Sequence, residues 1–156
     1  MNTTIRPVQA ADIEQLTVVI DSSELFPSEM LDDMIADFLQ NANSEQIWRT
    51  AEVDNQLVGI AYAAPEMMTE GTYNLYLIAV HKSVQGKGIG GQLMRHFEDL
   101  LREQNVRILL VETSGLAEFE LTREFYDKLD YQRAAVIPEF YAAGEDKVVF
   151  WKKLNR

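Results

Sequence analysis

Apolar residues recur along the chain with two periods, and the points where the period changes mark out alternating strands and helices. Thr3-Thr4-Ile5-Arg6-Pro7-Val8 reads as a short first strand, after which Asp12 supports a helix carrying Ile13, Leu16, Val19 and Ile20 on one face. Pro27 fits the first turn of a second helix, with Met30, Leu31, Met34, Ile35, Phe38 and Leu39 at three-to-four spacing. Two extended runs follow, Gln46–Val53 and Leu57–Ala63, separated by Asp54-Asn55-Gln56 as in a hairpin. The run from Tyr73 to Val80 is almost continuously apolar, as expected of a central strand covered on both faces.

From Lys87 to Gln104 the spacing of Ile89, Leu93, Phe97, Leu100 and Leu101 is again helical, and Arg107-Ile108-Leu109-Leu110-Val111 reads as another buried strand. A fourth helix over 117–129 sets Leu121, Phe125 and Leu129 four residues apart, and closing strands use Tyr131–Val136 and Lys147–Lys152. The pattern predicts an α/β fold, a mixed sheet flanked by helices, antiparallel first and parallel at its middle, with about six to seven strands. At 156 residues the chain fits one domain over 1–156.

Charge narrows the partners. Fourteen Lys plus Arg against 25 Asp plus Glu leave a net charge of −11, which disfavours nucleic acid and anionic membrane and suits a cationic partner. The chain has no cysteine, so disulfides, thiolate metal sites and a Cys nucleophile are excluded, and the two histidines, His81 and His96, make a poor zinc set. No apolar window resembles a signal peptide or a membrane span, so a cytoplasmic protein is expected.

The chemistry concentrates in Val80-His81-Lys82-Ser83-Val84-Gln85-Gly86-Lys87-Gly88-Ile89-Gly90-Gly91, a buried strand that delivers a glycine-rich loop into an amphipathic helix. Four glycines in six residues weaken a helix start. They suit a backbone that approaches a ligand closely, with first-turn N–H groups and the positive helix end facing an anion. From Gly71 through Phe97 there is no Asp or Glu, while Lys82, Lys87 and Arg95 give +3, leaving −14 on the rest of the chain. Gly86, Gly88 and Gly91 also satisfy G-x-G-x-x-G, with Glu112 at the end of the next strand, as in a dinucleotide-binding fingerprint. Against that alternative, the fingerprint usually opens a doubly wound domain, whereas here a hairpin precedes it and 65 residues follow Gly91.

The chain resembles the GNAT superfamily, the Gcn5-related N-acetyltransferases, over essentially its whole length. The stretch from Leu77 to Gly90 matches that family's strand followed by Q/R-x-x-G-x-G/A, here Gln85, Gly88 and Gly90, and Phe125-Tyr126-Asp127-Lys128-Leu129-Asp130-Tyr131 resembles its F-Y-x-x-x-G-F segment. The resemblance implies two central parallel strands, here ending near Val80 and Val111, splayed to admit acetyl-CoA. It implies a pyrophosphate on the loop amides of Gln85, Gly86, Lys87, Gly88, Ile89 and Gly90, with Gly91 beside them, and a pantetheine arm against the backbone of Ile78, Ala79 and Val80. A main-chain N–H would polarise the thioester carbonyl.

Tyr126 matches the position that in many members protonates the departing thiolate, a task in which proximity outweighs acidity. The sequence departs from the family in three places. Phe119 and Thr122 stand where many members have Asn and Ala, Asp130-Tyr131 replaces Gly-Phe, and the strand 73–80 lacks the carboxylate that many members use as base. Glu112 is the leading substitute base, an ordinary salt-bridged acid being the equal alternative. Glu66, Glu70 and Glu139 on predicted loops are further candidates.

The resulting expectation is an acetyl-CoA-dependent N-acetyltransferase in which an amine attacks the thioester directly, the acceptor being a small cationic amine that lies against the first two helices and the Ile137–Tyr141 loop. An N-terminal peptide or protein acetyltransferase, a non-catalytic acyl-CoA-binding sensor and a small NAD-binding domain are the competing readings. The partners expected are acetyl-CoA and an amine, with no nucleic acid, no membrane and no metal, in a monomer or homodimer.

Overall fold

The computed structural model describes residues 2–155. Its elements follow as β1 (Thr3–Pro7), α1 (Ile13–Ser23), α2 (Leu31–Gln40), β2 (Ile47–Val53), β3 (Gln56–Pro65), β4 (Thr72–Val80), α3 (Ile89–Glu103), β5 (Ile108–Ser114), α4 (Glu120–Lys128), β6 (Gln132–Ala142) and β7 (Glu145–Lys153). The seven strands form one mixed sheet, as the periodicity predicts, and their order is β1-β2-β3-β4-β5-β7-β6. β4 and β5 run parallel, with Thr72 opposite Ile108 and Leu75 opposite Val111. A parallel pair at the middle of the sheet agrees with the architecture expected. Among the described residues no helix is long and apolar enough to cross a membrane.

The chain divides into two compact units, the residues up to Ala64 with Tyr76–Asp99, and Pro65–Leu75 with Leu100 onward. In the first, Leu16, Val19 and Ile20 of α1 and Leu31 and Ile35 of α2 are buried with Trp48, Ile60, Leu77 and Ala79. Met30, expected on the same stripe, is exposed because α2 begins only at Leu31, after a short 3-10 turn over Ser28–Met30, and Leu39, next to the last residue of α2, is exposed as well. The β2–β3 hairpin turns on Asp54 and Asn55, with φ of +50° and +64°, the left-handed pair that a two-residue turn demands. Gly59 of β3 has a packing reason: a Cβ there would stand 3.1 Å from Leu93 Cδ1 and 3.3 Å from Ala51 Cβ, so an added methyl would press on the α3 side chain packed over it.

Asp12 acts differently from a simple cap of α1. Its carboxylate accepts two hydrogen bonds from Arg6, at 2.8 and 2.9 Å, and one from the Gln9 backbone N–H at 2.7 Å. The Arg6 hydrogen bond, partly offset by burial, holds the Asp12 carboxyl below its usual range. A folded-state pKa below the unfolded one stabilises the protein fully above the unfolded value and is lost as pH falls through the folded one. Asp12→Ala is expected to cost about 2 kcal/mol at neutral pH. Urea unfolding at neutral and acid pH checks this, the difference from the parent protein shrinking as the pH falls.

In the second unit Leu109, Val111, Val148 and Phe150 form the buried face of β5 and β7, joined by Tyr126 and Tyr131. The helix expected over 117–129 is α4 preceded by a 3-10 turn at Ala117–Phe119, and Leu121 is 79% exposed rather than part of the apolar stripe. Tyr126 takes the buried position instead. Asp130, where the resemblance leads one to expect Gly, adopts φ +68°, and the Tyr131 N–H closes onto the Tyr126 carbonyl at 3.1 Å, so Asp supplies the left-handed exit itself. β5 runs three residues past the predicted end at Val111, and β6 extends through the predicted loop 137–141, which is a bulge within the strand at Pro138 and Glu139 (φ +53°).

Candidate active site

Val80 leaves β4 into a loop that the chain fastens at several points. The His81 N–H donates to the Val58 carbonyl at 2.7 Å, the Lys82 N–H to Ser22 Oγ at 3.2 Å, and the Gln85 side-chain amide to the Val80 carbonyl at 3.0 Å. Gln85 therefore engages one of the strand carbonyls expected to face the pantetheine arm. His81 caps the turn that follows it, its Nδ1 accepting the Ser83 N–H at 3.1 Å.

Beyond Gln85 the loop takes left-handed turns at Gly86 and Gly88, with φ of +79° and +85°, and both glycines are exposed. A Cβ built at either would meet no atom of the chain within 4 Å. The chain's own packing therefore does not demand glycine at these positions; the backbone conformation does, and it keeps the loop surface open to a close-fitting group. The Gln92 N–H donates to the Gly88 carbonyl at 3.0 Å, which makes Gly88 the entry to α3 and leaves the N–H groups of Ile89, Gly90 and Gly91 without a partner four residues back. Lys82 and Lys87 are exposed around this positive helix end. Ile89 and Gly91 are buried, and a Cβ on Gly91 would meet the Arg95 guanidinium at 3.5 Å, so these two can offer only backbone donors. The residues present fit a pyrophosphate-bearing cosubstrate.

In the second unit Tyr126 is 2% exposed, its ring 5.3 Å from Phe150, 5.0 Å from Phe125 and 5.9 Å from Tyr131. Burial pushes its hydroxyl well above the ordinary phenol range, so it remains a protonated donor at any working pH. Glu112 lies within β5, two residues before its end, and its Oε1 meets Lys147 Nζ at 3.0 Å. The register Glu112↔Val149 and Ser114↔Lys147 makes the two diagonal neighbours on one sheet face. The Lys147 ammonium also sits 3.4 Å over the Phe140 ring. Beside it, burial first and then the charges of Glu112 and Glu145 raise the Tyr141 hydroxyl. Sequence reasoning named Glu112 but missed Lys147, since a diagonal contact between distant strands leaves no local spacing to read.

The family model of the acetyltransferase (GNAT) family matches residues 11–131, most of the chain. The chain belongs to the GNAT family. A GNAT-family acetyltransferase structure from Desulfovibrio desulfuricans superposes with a TM-score of 0.92 at 28% identity, covering 99% of this chain and 100% of that one. An uncharacterized N-acetyltransferase of Methanocaldococcus jannaschii is 30% identical over 106 residues, 66% of this chain and 64% of its own length. The L-2,4-diaminobutyric acid acetyltransferase of Vibrio cholerae is 32% identical over 98 residues, 62% of this chain and 54% of its own. The matches thus span under two thirds of these two relatives.

Within this GNAT-family chain the glycine loop falls in the first unit, and Tyr126, Glu112 and Lys147 in the second. Glu66 and Asn74 are also in contact, Asn74 Nδ2 donating to Glu66 Oε1 at 2.9 Å. Asn74 drew no notice in the sequence because a single amide in an apolar strand reads as an interruption rather than a site.

Proposed function

We propose that this chain is an acetyl-CoA-dependent N-acetyltransferase whose acceptor is a small cationic amine attacking the thioester directly in a ternary complex. The observation that carries the reading is the loop of Gly86 and Gly88, left-handed, open and placed at the start of α3, in a chain of the GNAT family. Gln85 to Gly90 would hold the pyrophosphate on backbone N–H groups, and Ile78, Ala79 and Val80 would line the pantetheine arm. Acetyl-CoA supplies an activated acyl group. The chain's own residues position it and manage protons. With no cysteine, a covalent thioester on the protein is impossible.

Support for a cationic acceptor comes from charge placement. From Pro7 to Trp48 the chain has nine acidic residues and not one Lys or Arg, and every one of the nine but Asp12 is exposed. Such a field draws ammonium ions and repels anions. The diaminobutyric acid acetyltransferase among the relatives bears a name consistent with an amine of this kind.

Tyr126 would donate its proton to the departing thiolate. Tyr126→Phe is expected to lower kcat about tenfold to a hundredfold while KM for acetyl-CoA stays within about twofold, because the ring packing survives and only the donor is lost. Steady-state kinetics check both values.

The test of the function is thiol release from acetyl-CoA with spermidine, 2,4-diaminobutyrate or an alanine-initiated neutral peptide as acceptor. Release with the cationic amines ahead of the peptide is expected. Faster release with the peptide contradicts the acceptor class, and no release with any of them, despite acetyl-CoA binding, contradicts transfer itself and favours a sensor.

A further inference from the structure

The two nitrogens of a diamine have opposite needs during acetyl transfer. The one that attacks the thioester must give up its proton, whereas the other stays an ammonium at neutral pH and can be held as a cation. A site that stabilises positive charge opposes deprotonation, so it suits the second nitrogen and not the first.

The first unit carries a surface of this kind. Trp48, Tyr62 and Tyr76 form a ladder of rings across β2, β3 and β4, all three within that unit. The Trp48 and Tyr62 rings stack at 4.1 Å and 7°, and the Tyr62 and Tyr76 rings follow at 5.7 Å and 33°. Burial falls along the ladder. Trp48 is fully buried with α1 and α2, Tyr62 is half-buried, and Tyr76 is 48% exposed, the one exposed residue among the nine of β4. Cross-strand packing accounts for the first two rings. It does not account for a third ring delivered to solvent.

Charge around the ladder points the same way. Asp37 of α2 is close enough to Tyr62 for its carboxylate to raise the phenol further after burial has raised it. That carboxylate is exposed and is fixed by the Ser44 hydroxyl, which donates to Asp37 Oδ2 at 2.6 Å. Arg49, the residue after Trp48, is turned to the opposite face of the sheet by the pleat. An aromatic face attracts an ammonium through its quadrupole, and a neighbouring carboxylate adds a charge of the right sign. The stretch 7–48, which builds α1 and α2, contributes no Lys or Arg to compete.

We propose that Tyr62 and Tyr76, with Asp37, bind the acceptor ammonium that is not acetylated, so that the acceptor class is a di- or polyamine rather than a monoamine. The inference rests on the acetyl-transfer reading above and deepens it. Tyr76 stands two residues before Ile78, about 7 Å along the strand from the backbone proposed to line the pantetheine arm. The attacking nitrogen, a few methylenes from the held ammonium, then falls beside that backbone and away from the groups that favour its protonation.

The test compares 1,4-diaminobutane with butylamine, which shares its carbon chain and lacks the second nitrogen. The parent protein is expected to favour the diamine about tenfold or more in kcat/KM, with the difference carried by KM, the scale of a cation–π contact beside a carboxylate. Tyr76→Leu, an apolar side chain without a π face, should bring the preference to about threefold or less, and Tyr76→Phe should keep it. Asp37→Asn, which still offers Ser44 an oxygen, should lower it about threefold. A readout independent of turnover uses tetramethylammonium, which has no N–H to lose. It should alter the tryptophan emission of the parent protein, through Trp48, at concentrations where neutral tert-butanol does not, and about tenfold more of it should be needed in Tyr76→Leu.

Equal use of the two amines by the parent protein overturns the proposal, as does a preference that Tyr76→Leu leaves intact. Loss of the preference in Tyr76→Phe also overturns it, since the hydroxyl and not the ring would then be the binding group. If Tyr76→Leu does not fold, the tetramethylammonium response of Asp37→Asn decides in its place, a weaker response supporting the site and an unchanged one removing it. A parent protein that answers to tetramethylammonium in this way and acetylates neither amine fails the transferase reading while keeping the ammonium site.

Discussion

Gly88→Val is expected to weaken acetyl-CoA binding by about a hundredfold or more while leaving the fold in place. Two costs add. At φ +85° a β-branched residue meets strain of roughly 1–2 kcal/mol, which the loop can relieve only by turning its amides away from their present direction. If it does not turn, the valine methyls fill the open surface at which a phosphate would approach. Because a Cβ at Gly88 touches nothing of the chain within 4 Å, the side chain displaces no packed neighbour. The Tm without ligand should therefore fall only by the few degrees that this strain implies, whereas the thermal shift on adding acetyl-CoA should disappear. A variant that still binds with parental affinity would show that the loop is a turn and not a phosphate cradle.

Trp48→Ala is expected to be the most damaging single truncation for stability. Trp48 is fully buried on β2, opposite Tyr62 in the β2–β3 register, and the two rings stack at 4.1 Å and 7°. Its indole N–H also donates to Gln46 Oε1 at 3.0 Å, so the side chain is satisfied at its polar end and packed everywhere else. Removing it empties the space between α1, α2 and the sheet of the first unit, at a cost of about 3–5 kcal/mol. Against a typical stability of about 5–15 kcal/mol that is a large share, and it corresponds to a fall in Tm on the order of 10 °C. Urea unfolding of the two proteins reads the difference directly. A loss below about 1 kcal/mol would mean that the surrounding residues collapse into the space.

These two positions differ in how far the sequence alone revealed them. The glycine loop was legible because its signal is local: four glycines in six residues, between an apolar strand and an amphipathic helix, in a stretch free of acids. The sheet was legible for the same reason, since strand and helix periods are short-range, and the hairpin at Asp54-Asn55 announced itself through its turn residues. What failed did so where tertiary packing overrides the local period. Leu121 continues the helical spacing of α4 yet is exposed, while the polar-tipped Tyr126 takes the buried position against Phe150. Asp130, which departs from the family pattern, takes the left-handed conformation without being glycine.

The polar contacts were the least readable. Glu112 with Lys147, and Glu66 with Asn74, each join residues on different elements, and their meeting depends on strand register and loop closure. The bulge of β6 at Pro138 and Glu139 reads as a loop in the sequence because a proline interrupts the strand pattern there. The Glu139 N–H nonetheless donates to Asp146 Oδ1 at 2.9 Å, which ties the bulge to β7 and keeps Phe140 over Lys147.

The most direct test of the account is mass analysis of spermidine after incubation with the purified chain and acetyl-CoA, with NAD in place of acetyl-CoA as the control. The account predicts a gain of one acetyl group on the amine, matched one for one by free CoA thiol and absent with Gly88→Val. Free thiol without acetylated amine, or no change in either, would contradict it.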